Sequence, residues 1–420
     1  MNFEQSERTR DIREQVEAFF VEHILPRDAD WHREVEVGGN PKPQFLTELR
    51  AKAYELGLWN MALPALTDDE PGTRLSNLEF AGIAEVLGRL PWASLAFNCH
   101  APDVPNMEIL QMFGTAEQKQ TYLNPLLNGE IRSAFAMTEP GVASSDATNI
   151  ATRIDREGDE YVLNGHKWFA TGAGNPDCRF LIVVGVTDPQ AARGKQHSMV
   201  IVPTDTQGVT IKRNLAVMHH VDTVAPHSEI VLSDVRVPVT NRLGDEGGGF
   251  LIGQARLGPA RVHHCMRAIG RCEVLIGLML ERAQNRVAFG RNLAEYSSLQ
   301  DAVAESRLEL EQARLLVQRT AWRLDRDGNH VARKDISLIK IAVARAYENI
   351  ANRGIQALGA LGLTDDAPFA SALSQARAFR IYDGPDEVHR RTVYRLEARE
   401  RAGENLWDRY VHLGGVGTDL

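Results

Sequence analysis

Hydrophobic positions along the chain change their spacing twice. In the first 130 residues they recur at helical spacing, and the first helix carries one apolar face that ends at Pro26. The residues of this face are Ile12, Val16, Phe19, Phe20 and Ile24. From about residue 134 short β-branched runs alternate with turns, and these runs predict strands at 179–184, 198–202 and 229–232.

A glycine-rich segment at 244–249 closes the strand region, and helical spacing then returns. Residues 336–350 predict a long helix, and a preceding helix carries an apolar stripe. The residues of this stripe are Leu308, Leu315, Leu316 and Trp322. The order of helices, strands and helices predicts an α+β fold of three domains. Their expected bounds are 1–133 for an N-terminal helical domain, 134–243 for a middle β-domain and 244–420 for a C-terminal helical bundle.

Composition narrows the class of protein. The hydrophobic fraction of 43% and the charged fraction of 25% are ordinary for a soluble globular protein. The net charge of −9 argues against a general nucleic-acid binder, and apolar runs such as 180–186 are too short to span a membrane. The four scattered cysteines form no C-x-x-C pair, and the N-terminus is polar and acidic. We therefore expect a cytoplasmic protein.

Several segments combine residue types that carry chemistry. They read GTAEQK at 114–119, FAMTEPGVASSD at 135–146, NGHKWFATG at 164–172, RVAFG at 286–290, QALG at 356–359 and RIYDGPDEVHR at 380–390. In order and spacing these segments resemble the motifs of the acyl-CoA dehydrogenase family, over nearly the whole chain. No G-x-G-x-x-G follows a strand, so a dinucleotide site of the Rossmann kind is not indicated.

The resemblance implies a fold and a reaction. The acyl-CoA dehydrogenase fold has two mainly helical domains flanking a small β-barrel domain, and its cofactor is FAD. Asp383, where most members carry glutamate, would take the α-proton of an acyl-CoA while the β-hydride passes to flavin N5, giving a trans-2-enoyl-CoA. A flavin ribityl hydroxyl and the backbone N–H of the base residue would stabilise the thioester oxygen. A buried, largely apolar pocket would raise the pKa of the carboxyl.

The same resemblance implies which residues bind the cofactor and the substrate. The cofactor-binding positions are Phe135, Met137, Thr138, Gly141, Ser144, Ser145, Phe169, Ala170, Thr171, Arg286, Phe289, Ser297, Gln356, Gly359, Ala360, Pro385 and Glu387. Substrate contacts are implied for Ser144, Arg261 and Gly384. Arg286 and Phe289 would reach the flavin pyrophosphate of a neighbouring subunit, so a homo-oligomer is expected, with a dimer of dimers favoured.

The residues around Arg261 leave two questions open. Some relatives place a catalytic glutamate directly before this arginine, and Ala260 stands there instead, which favours Asp383 as the base. His263 and His264 suggest either a metal site or the lining of the substrate pocket. Adjacent side chains on a helix point in different directions, so we expect no metal site.

Two other functions remain open at this point. Nitroalkane oxidase-like relatives also use an aspartate to remove a carbon-bound proton, and a non-catalytic flavin-binding protein could keep the fold. Relatives that bind DNA do so through a basic C-terminal region, whereas the tail at 403–420 is not basic. The motifs resemble most the subgroup that in animals is fused to a kinase-like domain and linked to 4-hydroxyacyl-CoA breakdown. Electron-transferring flavoprotein is the electron acceptor that the family implies.

Overall fold

A computed structural model describes residues 6–411 of the chain. Residues 1–5 and the part of the C-terminal tail from residue 412 lie outside the described residues. Within 6–411, no helix combines the length and the apolar character that crossing a bilayer requires.

The first part of the chain is helical. Its helices are α1 Glu7–Phe19, α2 Asp28–Trp31, α3 Gln44–Glu55, α4 Asn77–Gly88, α5 Asp103–Phe113, α6 Ala116–Gln118 and α7 Asn124–Leu127. The Ser6 side chain accepts a hydrogen bond from the backbone N–H of Thr9 and caps α1. The predicted apolar face is confirmed, because Val16 and Phe19 pack in the core together with Phe20 and Ile24 of the following π-helical turn.

The middle part forms one eight-stranded sheet. Its strands are β1 Arg132–Ala136, β2 Arg153–Glu157, β3 Glu160–Thr171, β4 Cys178–Val186, β5 His197–Pro203, β6 Val209–Leu215, β7 His227–Pro238 and β8 Arg242–Leu243. The order is β6-β7-β3-β2-β4-β5-β8, and β1 pairs with β4 in parallel. The three strands predicted from β-branched runs are confirmed, since they lie within β4, β5 and β7.

Helices return after the sheet. They are α8 Gly249–Asn285, α9 Ser297–Leu358, α10 Phe369–Phe379, α11 Asp386–Glu400 and α12 Leu406–Tyr410. A short hairpin, β9 Val287–Ala288 and β10 Arg291–Asn292, separates α8 from α9. The helix α9 is interrupted at Gly328, where φ is 76° and ψ is 168°. The predicted helix at 336–350 is the part of α9 that follows this break.

The predicted apolar stripe on α9 faces the core only in part, at Leu316. Leu308 and Leu315 are about half exposed, at 52% and 51%. The buried side of this helix instead carries Leu310, Val317 and Leu324, which are seven residues apart in sequence. This heptad spacing is typical of a helix packed lengthwise against another helix, and α9 packs against α8.

The N-terminal helix α4 depends on the C-terminal helices in two ways. Gly88 and Gly270 allow a close approach of α4 and α8, because a Cβ on Gly88 would meet the carbonyl oxygen of Arg267 at 2.0 Å. Asp325, at the end of the first part of α9, accepts hydrogen bonds from the backbone N–H groups at the start of α4. These bonds are 2.9 Å long for both Asn77 and Leu78. The two helical parts therefore share one core.

Candidate active site

Asp383 lies in the turn between α10 and α11 and has a left-handed backbone. Its φ is 55°, and that of the following Gly384 is 102°. The Asp383 carbonyl oxygen accepts a hydrogen bond from Arg261 Nε at 2.7 Å and lies 3.2 Å from His389 Nε2. A Cβ on Gly384 would come within 2.8 Å of that same His389 nitrogen. The turn therefore requires glycine at position 384, and helices α8 and α11 hold it from two sides.

The carboxylate of Asp383 is enclosed and largely unpaired. Its side chain is 18% exposed. Oδ2 is buried and has no hydrogen-bond partner of good geometry within residues 6–411. It lies 3.4 Å from Nε2 of His264. The backbone N–H of Asp383 also makes no hydrogen bond within the described chain. An acceptor and a donor are thus free at the same residue, as a proton-abstracting site with an oxyanion donor requires.

The pKa of Asp383 is lowered, so the prediction that its pKa is raised is wrong. Burial raises the pKa, but the neighbouring His264, followed by the cationic groups of Arg261, Arg256 and Lys340, outweighs it. These residues are distant from Asp383 in sequence and converge on it only in the fold. The carboxylate is therefore ionised at neutral pH and can accept a proton.

His264 is a neutral imidazole with a defined tautomer. Burial, followed by the charge of Arg267, lowers its pKa to about 3. Arg267 Nη2 donates a hydrogen bond to His264 Nδ1 at 3.0 Å. Since arginine only donates, Nδ1 carries the lone pair and Nε2 carries the proton. His263 points elsewhere, with Nε2 3.3 Å from Asn77 Oδ1, and residues 6–411 contain no group of three metal-ligating side chains.

A buried lysine beneath the turn was missed by the sequence analysis. Lys340 on α9 is fully buried and donates a hydrogen bond to the carbonyl oxygen of Phe379. Its ammonium lies 4.3 Å from the ring centroid of Phe379 and 5.3 Å from that of Tyr382. Burial lowers its pKa to about 8. A lysine within the apolar run of 336–344 was the available signal.

A small cavity lies on the side of His264 that faces α5. It is lined by Ala101, Val104, Pro105, Ala260, His263, His264 and Arg267. Arg256, one turn before Ala260 on α8, donates from Nε to Asn106 Oδ1 at 2.9 Å and covers the ring of Phe135 at 4.0 Å. Of the predicted site residues, Arg261 thus contacts the backbone of Asp383, and Phe135 packs under the guanidinium of Arg256.

The two motifs at 135–146 and 164–172 are joined by a buried ion pair that sequence reasoning also missed. Lys167 is fully buried, and its ammonium donates to Glu139 Oε1 at 2.7 Å, to Met137 O at 3.0 Å and to Val184 O at 2.7 Å. The backbone N–H of Trp168 donates a hydrogen bond to the Thr138 carbonyl oxygen at 3.0 Å. Glu139 and Lys167 therefore hold Met137 and Thr138 beside β3.

A β-bulge turns Phe169 outward. The register between β3 and β7 shifts between Lys167 and Ala170, and Phe169 has a φ of 52° with 44% of its surface exposed. Ala170 is buried, and Thr171 Oγ1 lies 2.9 Å from His227 Nδ1. The indole N–H of Trp168 is buried without a partner within 6–411. Together with the unbonded hydroxyl of Thr138, this edge offers donors and a ring face to a planar heterocycle.

In the loop at 139–146, one of the two serines is hydrogen-bonded to the backbone of the loop. Ser144 Oγ accepts a hydrogen bond from the Glu139 N–H at 2.9 Å, which closes the loop. Ser145 is exposed, and its hydroxyl makes no hydrogen bond within the described residues. Gly141 is exposed, with no atom within 4 Å of an added Cβ. Of the two serines, Ser145 has the freer hydroxyl.

The remaining predicted cofactor residues lie on the surface or at the start of α11. Phe289, at the tip of the β9–β10 hairpin, is 100% exposed. Also exposed are Arg286, Ser297, Gln356, Gly359 and Ala360. Pro385 precedes α11 as its N-cap, and Glu387 in its first turn accepts from Arg390 at 3.3 Å. An exposed arginine beside a fully exposed phenylalanine is typical of a surface that another molecule covers.

Comparisons with known proteins match most of the described chain to one family. The models "Acyl-CoA dehydrogenase, N-terminal domain", "middle domain" and "C-terminal domain" match residues 6–130, 134–235 and 247–396. "Probable acyl-CoA dehydrogenase FadE2" of Mycobacterium tuberculosis is 49% identical over 407 residues, which cover 96% of this chain and 98% of the relative. "Acyl-CoA dehydrogenase family member 11" of Gallus gallus is 44% identical over 95% of this chain, which spans about half of that relative, 52%.

Solved structures show the same fold. An acyl-CoA dehydrogenase homologue from Mycobacterium abscessus superposes with a TM-score of 0.91 and 43% identity, covering 95% of this chain and 100% of the other. The structure of PigA with FAD and proline superposes with a TM-score of 0.83 and 26% identity, with the same coverage.

Proposed function

Because the chain belongs to the acyl-CoA dehydrogenase family, we propose that this oxidoreductase oxidises an acyl-CoA thioester to a trans-2-enoyl-CoA with FAD. The observation that carries the proposal is the ionised, enclosed carboxylate of Asp383, which accepts no hydrogen bond of good geometry within residues 6–411. When bound, FAD supplies N5 as the acceptor of the β-hydride.

In this proposal Asp383 removes the α-proton. Its unbonded backbone N–H supplies a donor for the thioester oxygen, where negative charge develops as the proton leaves. Arg261 holds the Asp383 carbonyl oxygen and so fixes the turn from which both groups project.

The residues at the β3 edge fit FAD. The Thr138 hydroxyl, the indole N–H of Trp168 and the outward ring of Phe169 suit the heteroatoms and face of an isoalloxazine, and that indole N–H has no partner within residues 6–411. Arg286 would pair with the pyrophosphate, because a guanidinium forms paired bonds to phosphate oxygens. The superposed PigA structure contains FAD, which supports the assignment.

We further propose that the cofactor site is completed by a second copy of the chain, within a dimer of dimers. Phe289 is 100% exposed, and Arg286, Gln356 and Gly359 are also exposed, as expected for a surface that meets a neighbouring subunit. Phe289→Asp should therefore lower both the oligomeric state and the FAD content, measured by light scattering and by absorbance. Phe250→Asp, at a phenylalanine that is 45% exposed, is the matched control. A fully assembled, FAD-loaded Phe289→Asp protein would contradict the proposal.

Electrons would leave through electron-transferring flavoprotein. A cytoplasmic location is part of the same proposal, since the four cysteines are buried and unpaired.

The test of the reaction compares two neighbouring carboxylates. Asp383→Asn keeps size but removes the base, so flavin reduction by acyl-CoA should fall by about 10²–10⁴-fold with FAD retained. Asp386 instead pairs with Arg380 at 2.8 Å and Arg390 at 3.3 Å. Asp386→Asn should therefore lower stability but keep most of the reduction rate.

The assay is anaerobic bleaching of the flavin by butyryl-, octanoyl- and palmitoyl-CoA. Wild-type protein that is bleached by none of them, but is bleached by a nitroalkane, would favour the nitroalkane oxidase-like reaction. Near-normal bleaching of Asp383→Asn would show that the base lies elsewhere.

A further inference from the structure

His264 stands beside the catalytic carboxylate and at the edge of the cavity at the same time. Its Nε2 lies 3.4 Å from Asp383 Oδ2, and the two side chains are 20% and 18% exposed. The imidazole ring packs edge-on against Tyr382, with 5.3 Å between ring centroids. The residue is therefore held between the base and the small cavity next to α5.

The proton of His264 faces Asp383 because Arg267 fixes the tautomer. Arg267 Nη2 donates to Nδ1 at 3.0 Å, and Nη1 of the same guanidinium donates to the Cys99 carbonyl oxygen at 3.1 Å. With Arg267 anchored at both ends, Nδ1 stays an acceptor and Nε2–H stays a donor.

The backbone of Asp383 is held firmly, whereas its carboxylate is not. Arg261 and His389 contact the carbonyl oxygen. By contrast, no side chain within residues 6–411 makes a hydrogen bond of good geometry to Oδ2. An aspartate has one fewer methylene than glutamate, so the direction of its carboxylate decides how near an oxygen comes to the α-carbon. Misplacement of about 1 Å can cost about a hundredfold in rate.

We propose that His264 is a positioning residue that donates from Nε2 to Asp383 Oδ2 and presents the other carboxylate oxygen to the acyl α-carbon. Arg267 acts through His264 by keeping the donor on the correct nitrogen. A rotation of the carboxylate that closes the 3.4 Å separation to about 3.0 Å would make it a normal hydrogen bond. This inference rests on the proposed function, since it concerns how the same base is aimed.

The test uses the flavin-loaded protein and two substitutions of different chemistry. His264→Leu keeps a branched side chain but has no donor, whereas His264→Gln keeps an N–H donor near the position of Nε2. The probes are butyryl-, octanoyl- and palmitoyl-CoA and their α-dideuterated forms, mixed anaerobically with each protein while flavin absorbance is followed. His219→Leu, at an exposed histidine, is the matched control.

His264→Leu should reduce its flavin about 10–100-fold more slowly than wild type, with a larger α-deuterium isotope effect and an acyl-CoA dissociation constant within about threefold. His264→Gln should recover most of the rate. A structural role alone would change flavin content or the thermal midpoint without changing the isotope effect. The proposal is overturned if His264→Leu reduces its flavin as fast as wild type. It is also overturned if His264→Gln is as slow as His264→Leu and shows the same isotope effect. Wild-type protein that no acyl-CoA reduces would refute the proposed function itself, which is a separate outcome.

Discussion

Replacing Lys167 by methionine tests how the cofactor edge of the sheet is held. Methionine keeps the unbranched stem but removes the ammonium, whose three hydrogen bonds go to Glu139, Met137 and Val184. The Glu139 carboxylate, only 6% exposed, would keep hydrogen bonds from the backbone N–H groups of Ala151 and Thr152, at 2.8 and 2.9 Å. It would lose its only positive partner within the described residues.

The expected cost follows from this geometry. Removing one member of a buried ion pair destabilises a protein by about 3–5 kcal/mol, because the other charge stays buried. The two retained backbone bonds favour the lower end, so we expect Lys167→Met to lower the free energy of unfolding by about 3 kcal/mol. Glu139→Gln in the same chain should restore part of this loss, since no uncompensated charge then remains.

Urea unfolding of the flavin-loaded protein, at one fixed protein concentration, measures the effect. The control is Lys212→Met, because Lys212 also pairs with a glutamate of the sheet, Glu229 at 3.3 Å, but is 58% exposed. Exposed pairs contribute about 0–1 kcal/mol. If Lys167→Met costs no more than Lys212→Met, or if the double variant loses the sum of both single effects, the ion pair does not hold the edge.

Two further predictions concern the turn and the effect of pH. Gly384→Ala should lower the rate of flavin reduction by at least about tenfold, because its Cβ would meet His389 at 2.8 Å and strain the turn that holds the base. The control is Gly158→Ala, which also has a positive φ but has nothing within 4 Å of the added Cβ, and which should leave the rate unchanged. Equal effects of the two substitutions would contradict this prediction. Burial lowers the pKa of His263 to about 3 from its usual 6.5, so the unfolded state binds a proton that the folded state lacks between these values, and stability is lost as pH falls through this window. His263→Gln should reduce this loss by up to about 1.4 kcal/mol per pH unit, measured as unfolding free energies at pH 7 and 5, whereas His219→Gln should not; an unchanged slope in His263→Gln would show that His263 is not the group that titrates.

The spacing of hydrophobic residues predicted the order of the helices and strands but not how these elements pack against one another. The strands at 179–184, 198–202 and 229–232 could be read from β-branched runs because period and length are local properties. The outward face of α9 could not, since Leu308 and Leu315 are as apolar as the buried Leu310 and Val317. Only the partner helix decides which side of α9 is covered.

Some features of the active site could likewise be predicted from the sequence, and others could not. The turn before α11 could be predicted, since Asp-Gly-Pro followed by two acidic residues is typical of a helix start. The pKa direction of Asp383 could not, because Arg256, Arg261 and Lys340 lie on other helices. The bulge at Phe169 also leaves no signal in one sequence, because a register shift belongs to the pairing of two strands.

The contact between Asp325 and the start of α4 has a consequence for synthesis of the protein. The bonded residues Asn77 and Asp325 are 248 positions apart, and a ribosome adds about 5–20 residues per second. Helix α4 therefore emerges roughly 10–50 s before the carboxylate that caps it. During that interval the apolar faces that later meet α8 and α9 have no partner, so the nascent N-terminal half is a natural client for chaperones that hold unfinished chains.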